Sequence, residues 1–260
     1  MSLPEVQKAL LLAAKGQVLV KIHSSALNPA DNYIQSLGIF VEEWPFILPN
    51  VSFERASTLP LGLATASIGL YAEKICRGSA GLYPPWEESG RGKYKGQPIL
   101  VIGGASSVGQ FSAYIIGKLS GFSLIITTCS THSAAYCVAA GATHPIDYYT
   151  TPYSELSSVV RVIVGPSTFV SDILAPRGSI VMVATPAVAK DGEEAKDGKR
   201  AVNFGAALYG KLTALLEEEA IKPNNMDVLP DGLAGIPDGL KRLLGGVSGV
   251  KLVAHPQETP

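Results

Sequence analysis

A glycine-rich segment, GGASSVG at residues 103–109, is the part of the sequence best suited to hold a phosphorylated ligand. The apolar residues 99–103 before it predict a buried strand, and residues 108–119 predict a helix. A tight turn between them would direct backbone N–H groups and the positive end of the helix toward a pyrophosphate. Gly103 and Gly104 would permit the turn, and Gly109 would allow close helix–strand packing. A glycine corner alone is equally compatible with mere packing, but this one opens a βαβ unit, which favours a dinucleotide site.

The end of the next predicted strand, residues 123–129, would meet the ribose of such a ligand. An Asp or Glu about 20 residues after the glycines usually binds a free ribose 2′-hydroxyl. The sequence TTCSTHS at residues 127–133 contains no acid. Because hydroxyls and a histidine tolerate a 2′-phosphate, the pattern favours NADP(H) over NAD(H). A plain polar strand end is the alternative interpretation, and it stays open because no Arg or Lys lies in this stretch.

Tyr114 and Lys118 form a Y-x-x-x-K pair, which resembles the acid–base pair of short-chain dehydrogenases. In that family the pair lies well downstream of the glycines, on a different helix. Here both residues lie on the first helix after the glycines, where positions i and i+4 simply share a face. We therefore interpret the pair as a chance match.

The cysteines and histidines predict no metal site. The cysteines form no CxxC motif, and the histidines are not spaced as ligands on one helix face, so buried structural thiols are favoured over zinc ligands. The residues concerned are Cys76, Cys129, Cys137, His23, His132, His144 and His255.

The elements that would position these residues follow from the apolar pattern. Short apolar strands alternate with helical stretches, which is typical of a parallel sheet covered on both faces. Further buried strands are predicted at 161–165 (RVIVG) and 178–184 (GSIVMVA), with a helix over 207–222 that stops before Pro223. The tail predicts one more helix and a final strand. Residues 16–27 instead alternate apolar and polar side chains, as in a half-buried antiparallel strand.

The composition limits the classes of partner. The chain has 260 residues, of which 47% are hydrophobic and 17% charged, and its formal net charge is -1. Since there is no basic block, neither nucleic acid nor a membrane is an expected partner. No apolar run approaches the ~20 residues of a membrane span. The first residues lack the basic start of a secretory signal peptide, so we expect a cytoplasmic protein. The expected partner is a small-molecule substrate, and a homodimer is left open.

Several segments in order resemble the medium-chain dehydrogenase/reductase superfamily. They include VLVKIHSSALNPADNYIQ, VSFERASTLPLGLATASIGLY, ILVIGGASSVGQFSAYIIGKLSGF, GATHPIDY and DILAPRGSIVMV, and together with residues 215–256 they cover most of the chain. The similar branch is that of the zinc-free quinone oxidoreductases and fungal trans-acting enoyl reductases. The resemblance implies an α/β fold: a doubly wound Rossmann sheet at 66–220, inserted into a GroES-like β-rich catalytic domain made by 1–65 and 221–260.

The resemblance also implies roles for individual residues. Asn28 and Asp31 match the NPxD motif at the floor of the family's cleft, and Tyr33 lies where relatives place a group close to the nicotinamide. Ser106 replaces the family's usual middle glycine. Cofactor contacts are implied for Thr65, Gly104, Ser106, Ser107, Val108, Gly109, Ser130, His132, Ser133, Tyr148, Val183, Thr185 and Lys251.

Three departures from the family pattern are visible. An opening hairpin is missing at Lys15–Gly16, and several strands with the GxDxxGxVxxVG and GDRV segments are missing after Leu48. A further strand and helix are missing between Val164 and Ser167. The chain therefore resembles a reductase with internal blocks excised, and we expect a truncated catalytic domain with exposed strand edges.

Two functions follow as expectations. The first is an NADPH-dependent, metal-free oxidoreductase that transfers hydride to an activated double bond of an enone, quinone or enoyl thioester. The alternative is a truncated, inactive paralogue that binds NADP(H) or acts through protein interaction. The substrate is not determined by the sequence, because the segments that would form its walls are those that are lost or variable.

Overall fold

The structure, a computed structural model, describes residues 22–28, 51–72, 79–164, 181 and 198–260. Within these ranges the strands are β1 (Ser25–Ala26), β2 (Pro98–Ile102), β3 (Leu124–Cys129), β4 (His144–Asp147), β5 (Met226–Val228) and β6 (Lys251–Ala254). The α-helices are α1 (Phe53–Ser57), α2 (Pro60–Tyr71), α3 (Ser107–Tyr114), α4 (Ala134–Ala139), α5 (Leu156–Val164), α6 (Gly198–Glu217) and α7 (Ile236–Leu244). A π-helix, Ile115–Ser120, continues α3.

Three strands form a parallel sheet in the order β2-β3-β4. The register pairs Pro98 with Leu124 and Ile126 with His144, so the carboxyl ends of all three strands reach one edge. α3 connects β2 to β3, and α4 connects β3 to β4, which makes two successive βαβ units. This arrangement confirms the predicted α/β class and is the first half of a doubly wound Rossmann sheet.

The main core lies between this sheet and its helices. Phe111 and Ile115 on α3 and its continuation are fully buried against Leu63 of α2, Leu212 of α6 and Ile125 of β3. Apolar side chains recur on one face of the helix at a spacing of four residues, as a helix packed on a sheet requires. The helix that opens at the glycine turn is therefore held rigidly by the core.

α5 contradicts the strand predicted at 161–165. Residues 156–164 form a helix whose buried Leu156 and Val160 pack on Ile126 and Ile146. Leu156, Val160 and Val164 recur every four residues, which is a helical period, whereas RVIVG taken alone looks like a short apolar strand. The strand predicted at 178–184 lies almost wholly outside the described residues.

A second sheet joins the two ends of the described chain in the order β1-β6-β5. β1 pairs antiparallel with β6, as the alternation in residues 16–27 predicts, and β5 pairs parallel with β6. Leu27, Leu229, Leu240 and Leu252 form a small separate core beneath it. The final helix and strand of the tail are confirmed as α7 and β6, whereas β5 was not predicted.

α6 ends five residues earlier than the sequence predicts. Glu219 adopts a left-handed φ of 52°, and the amides of Ala220 and Ile221 both bond back to the carbonyl of Leu215. This is a helix-ending turn, so the chain leaves α6 before Pro223. α2 crosses the predicted domain boundary at 65/66, and the boundary itself stays a prediction. Among the described residues, no helix combines the length and apolar character needed to cross a membrane.

Candidate functional site

The glycine turn lies at the carboxyl edge of β2 and opens α3. Gly103 has a φ of +76°, which glycine adopts without strain, and its amide bonds to the Thr128 hydroxyl (3.0 Å). The Gly104 amide bonds to the Thr128 carbonyl (3.0 Å), so these two N–H groups are directed into the protein. The prediction that the whole turn directs its amides at a pyrophosphate is therefore too broad.

The amides that face outward belong to the start of α3. Ser106 caps the helix, and its hydroxyl accepts from the Gly109 amide (3.0 Å). The amides of Ser107 and Val108 find no acceptor among the described residues. Two N–H groups at the positive end of a helix are suited to an anionic oxygen. Ser107 and Val108, rather than Gly104, Ser106 or Gly109, are thus the residues whose amides could hold a phosphate.

Gly104 and Gly109 serve packing. A Cβ added to Gly104 would lie 2.1 Å from the Thr127 hydroxyl, and one added to Gly109 would lie 2.2 Å from the Gly103 carbonyl oxygen. Both contacts are far inside van der Waals distance. The predicted role of Gly109 in close helix–strand approach agrees with this geometry, and Gly104 has the same role against β3.

The hydroxyls predicted for the ribose end cluster after β3, in the Thr131–Ser133 3₁₀ turn. Ser130 Oγ lies 3.3 Å from both His132 Nε2 and Ser133 Oγ. Ser133 Oγ contacts Ser248 Oγ at 3.1 Å, and the Gly249 amide bonds to the Ala105 carbonyl at 3.1 Å. The loop before β6 therefore contacts both the glycine turn and the predicted ribose end. Ser133 and Ser248, which meet in this contact, are 115 positions apart in the chain.

Asp147 at the end of β4 also reaches this edge, and the sequence analysis missed it. Its register partner is Cys129, the residue before Ser130. Thr131 donates a hydrogen bond to Asp147 Oδ2, and the Tyr149 amide donates to Oδ1 (3.0 Å). These bonds, with that from Thr131 first, hold the pKa of Asp147 below its usual range. The signal was the acid in the segment GATHPIDY, which ends the third strand of the sheet rather than the second.

Asn28 and Lys251 come together on adjacent strands of the second sheet. Lys251 is 7% exposed, and its Nζ donates to Asn28 Oδ1, while Asn28 Nδ2 donates to the Ala26 carbonyl (3.1 Å). The sequence predicts a catalytic role for Asn28 and a cofactor contact for Lys251. The structure pairs the two with each other, 223 residues apart in the chain.

The other predicted site residues have local contacts or lie outside the described ranges. Thr65 donates to the Leu61 carbonyl within α2 (2.7 Å). Tyr148 is half-buried, with its ring 4.7 Å from that of Tyr149. The predicted residues outside the described ranges are Asp31, Tyr33, Val183 and Thr185.

A buried polar network ties the chain return to the glycine turn. Ser107 Oγ donates to Asn224 Oδ1 (2.7 Å), and Asn224 Nδ2 donates to Gln110 Oε1, which also accepts from the Tyr136 hydroxyl. The backbone N–H of Asn224 donates to the Thr58 hydroxyl (3.1 Å). Burial raises the pKa of Tyr136 to about 12, which keeps it a neutral donor. Sequence reasoning did not find this network, because its members are far apart in the chain.

Tyr114 and Lys118 do not form an acid–base pair. Lys118 Nζ lies over the Tyr114 ring, 5.4 Å from its centroid, and Tyr114 is buried. This is a cation–π contact on one helix face. In the part of the chain that the structure describes, no three His, Cys, Asp or Glu side chains are grouped so as to hold a metal ion.

A parallel βαβαβ sheet with a glycine turn at its carboxyl edge defines a Rossmann-type dinucleotide-binding fold. No protein-family model matches the sequence. The chain is 27% identical to a zinc-type alcohol dehydrogenase-like protein of Schizosaccharomyces pombe, over 81% of this chain and 68% of that protein. It is 26% identical to a trans-enoyl reductase of Talaromyces variabilis, over 87% of this chain and 72% of the relative. That alignment of 280 positions is longer than the 260-residue chain, so it opens gaps within the chain, in agreement with the predicted excised blocks.

The fold is also found among solved structures. The apo crystal structure of the JamJ enoyl reductase superposes with a TM-score of 0.64 at 13% identity, and the match covers 94% of both chains. At that identity the likeness concerns the fold. Together with the sequence relatives, it agrees with the predicted resemblance to the medium-chain dehydrogenase/reductase superfamily, whose longer members the chain matches in part.

Proposed function

We propose that the chain binds NADP(H) at the carboxyl edge of the parallel sheet and reduces an activated double bond without a metal. The observation that carries the proposal is the pair of outward amides, Ser107 and Val108, that begin α3 beside a cluster of hydroxyls. Enzymes named as reductases among the sequence relatives support the reaction class. The metal-free part rests on the lack of a zinc-ligand pattern in the sequence.

The residues present fit a phosphorylated dinucleotide. The two amides would hold the pyrophosphate. Ser130, His132 and Ser133, with Ser248 from the loop before β6, would surround a ribose phosphate with donors. Tyr148, whose amide bonds to the Cys129 carbonyl (3.2 Å), would border the adenosine side.

A bound nicotinamide would supply the hydride, and the protein residues would orient the substrate and supply the proton. Tyr33 is the proposed proton donor, with water as the alternative, and Asp31 with Asn28 would line the cleft floor. Lys251, buried against Asn28, would fix the Asn28 carboxamide rather than contact the cofactor. The proposed substrates are enones, quinones or enoyl thioesters, whose developing enolate must be stabilised.

The proposal is tested by binding first and turnover second. We expect NADPH fluorescence to change on titration with the full chain, and at about 100 times Kd we expect NADPH to raise the free energy of unfolding by about 2.7 kcal/mol. NADPH oxidation with 1,2-naphthoquinone or 2-alkenals should then be measurable, and Tyr33→Phe should slow it about 100-fold if Tyr33 is the proton donor. Folded, NADPH-loaded protein without turnover on this panel would contradict the reductase proposal.

A second candidate is an NADP(H)-binding chain without turnover. The observation that favours it is the engagement of both ends of the Asn28 carboxamide by protein groups, Lys251 and the Ala26 carbonyl, which is typical of a structural residue. In this case NADPH should bind and stabilise the chain, while Tyr33→Phe should alter neither binding nor a basal oxidation rate.

A further inference from the structure

Asp147 lies at the ribose end of the proposed cofactor site. It is the last residue of β4 and pairs with Cys129 in the register, while Thr131 and His132 follow β3 directly. Thr131 donates to one carboxylate oxygen, and the Tyr149 amide donates to the other at 3.0 Å. The two bonds fix the carboxylate at the carboxyl edge, next to the hydroxyl cluster.

This edge therefore combines two opposed chemistries. Ser130, Ser133 and His132 present donors that suit a phosphate. A carboxylate at the end of a Rossmann strand instead accepts a hydrogen bond from a free ribose 2′-hydroxyl and repels a 2′-phosphate. In this chain the carboxylate arrives on the third strand of the sheet, so the acid-free stretch 127–133 does not by itself set the cofactor preference.

We propose that Asp147 determines cofactor specificity, limiting the preference for NADPH and allowing NADH to bind at the same site. The inference rests on the proposed function, since it concerns how the ribose end of that cofactor site discriminates. An Asp carboxylate is ionised at neutral pH, and the Thr131 hydroxyl, the Tyr149 amide and the nearby His132 lower the pKa of Asp147 further. Its repulsion of a phosphate is therefore fully present under ordinary conditions.

The test is the ratio of the Kd values for NADPH and NADH in wild-type protein and in Asp147→Asn. Asn keeps the shape and one acceptor oxygen, while the charge and the second acceptor oxygen are lost. We expect the NADPH Kd to fall about tenfold, the order of effect for one charge removed a few ångströms from a phosphate in a partly solvated site. The NADH Kd should stay the same or rise. The matched control is Asp238→Asn, which removes the same charge from α7, where Asp238 pairs with Lys241 (2.8 Å).

The outcomes separate the inference from the proposed function. An unchanged Kd ratio in Asp147→Asn, with both nucleotides still binding, would overturn the role of Asp147 and leave the dinucleotide site intact. An equal shift in Asp238→Asn would also overturn it, because the effect would then come from net charge. If the wild type binds neither nucleotide, the proposed function fails and the inference fails with it. Asp147→Ser removes the charge with a smaller side chain, and the same shift toward NADPH is expected if the Asn variant does not fold.

Discussion

At the scale of single residues, two buried thiols lie beneath the ribose end of the site. Cys129 ends β3 and Cys137 lies on α4, both are unoxidised, and each is at most 2% exposed. Burial raises the pKa of both thiols, that of Cys137 to about 12. A low pKa marks a reactive cysteine, so these two are packing residues, as the sequence analysis expected.

The raised thiol pKa makes a prediction for alkaline pH. The folded-state pKa of Cys137 lies above its unfolded value of 9.0, so its contribution to stability is complete below pH 9 and is lost as the pH rises toward about 12. We expect urea unfolding to show a loss of about 1.4 kcal/mol per pH unit in this window from Cys137. Cys137→Ala should flatten the slope, leaving the parts from Cys129, whose loss begins near pH 9, and from the buried tyrosines, including Tyr136, whose loss begins near pH 10. An identical slope in the variant would contradict this assignment.

At the scale of elements, the approach of α3 to β2 depends on the missing Cβ of Gly109. An added Cβ would lie 2.2 Å from a backbone oxygen, which no side-chain rotation relieves. The turn must therefore shift, and the outward amides of Ser107 and Val108 shift with it. The glycine turn and the core share this one contact.

Gly109→Ala and Gly210→Ala are predicted to act in opposite directions. Gly109→Ala should lower the free energy of unfolding by about 1–3 kcal/mol through overpacking, and should weaken NADPH binding as well. Gly210 lies inside α6, with nothing within 4 Å of an added Cβ, so Gly210→Ala should raise stability by about 0.5–1 kcal/mol. Urea denaturation of both variants checks the pair. If Gly109→Ala raised the free energy of unfolding as Gly210→Ala does, the turn would tolerate a side chain and the prediction would be wrong.

At the scale of the whole molecule, Asn224 joins the returning chain to the dinucleotide fold. It is 3% exposed and bonds to Ser107 and Gln110 on α3 and to Thr58 between α1 and α2. β5, a strand of the second sheet, begins two residues later. This network is thus one polar link between the returning chain and the glycine turn, beside the bond from the Gly249 amide to the Ala105 carbonyl.

Asn224→Ala should cost about 1–3 kcal/mol of unfolding free energy, because it removes the acceptor of the Ser107 hydroxyl and one of the two donors to Gln110 Oε1. Asn225→Ala is the matched control, because Asn225 is exposed and makes its hydrogen bonds through its backbone. Its carbonyl oxygen, for example, accepts from the Lys251 amide (2.7 Å). We expect the control to change stability by less than about 0.5 kcal/mol. Urea unfolding measures both, and a loss of the same size in Asn225→Ala would contradict the role of the network.

Several features followed from local sequence. The strand before GGASSVG, the helix after it and the strand at 123–129 are correct to within a few residues, because apolar runs and glycines act over short distances. The same local reasoning was wrong at 161–165, where a three-residue apolar run fits both periods. Only the packing of Leu156 and Val160 on the parallel sheet selects the helix.

The sequence alone determined the class of fold, the place of the glycine turn and the resemblance to a superfamily, since each depends on residues adjacent in the chain. The tertiary structure decided which amides of the turn lack an acceptor among the described residues, that Asp147 lies beside Thr131 at the carboxyl edge of the sheet, and that Lys251 binds Asn28. These depend on the order of strands in a sheet and on contacts between residues as far as 223 positions apart, and no local pattern encodes such pairings.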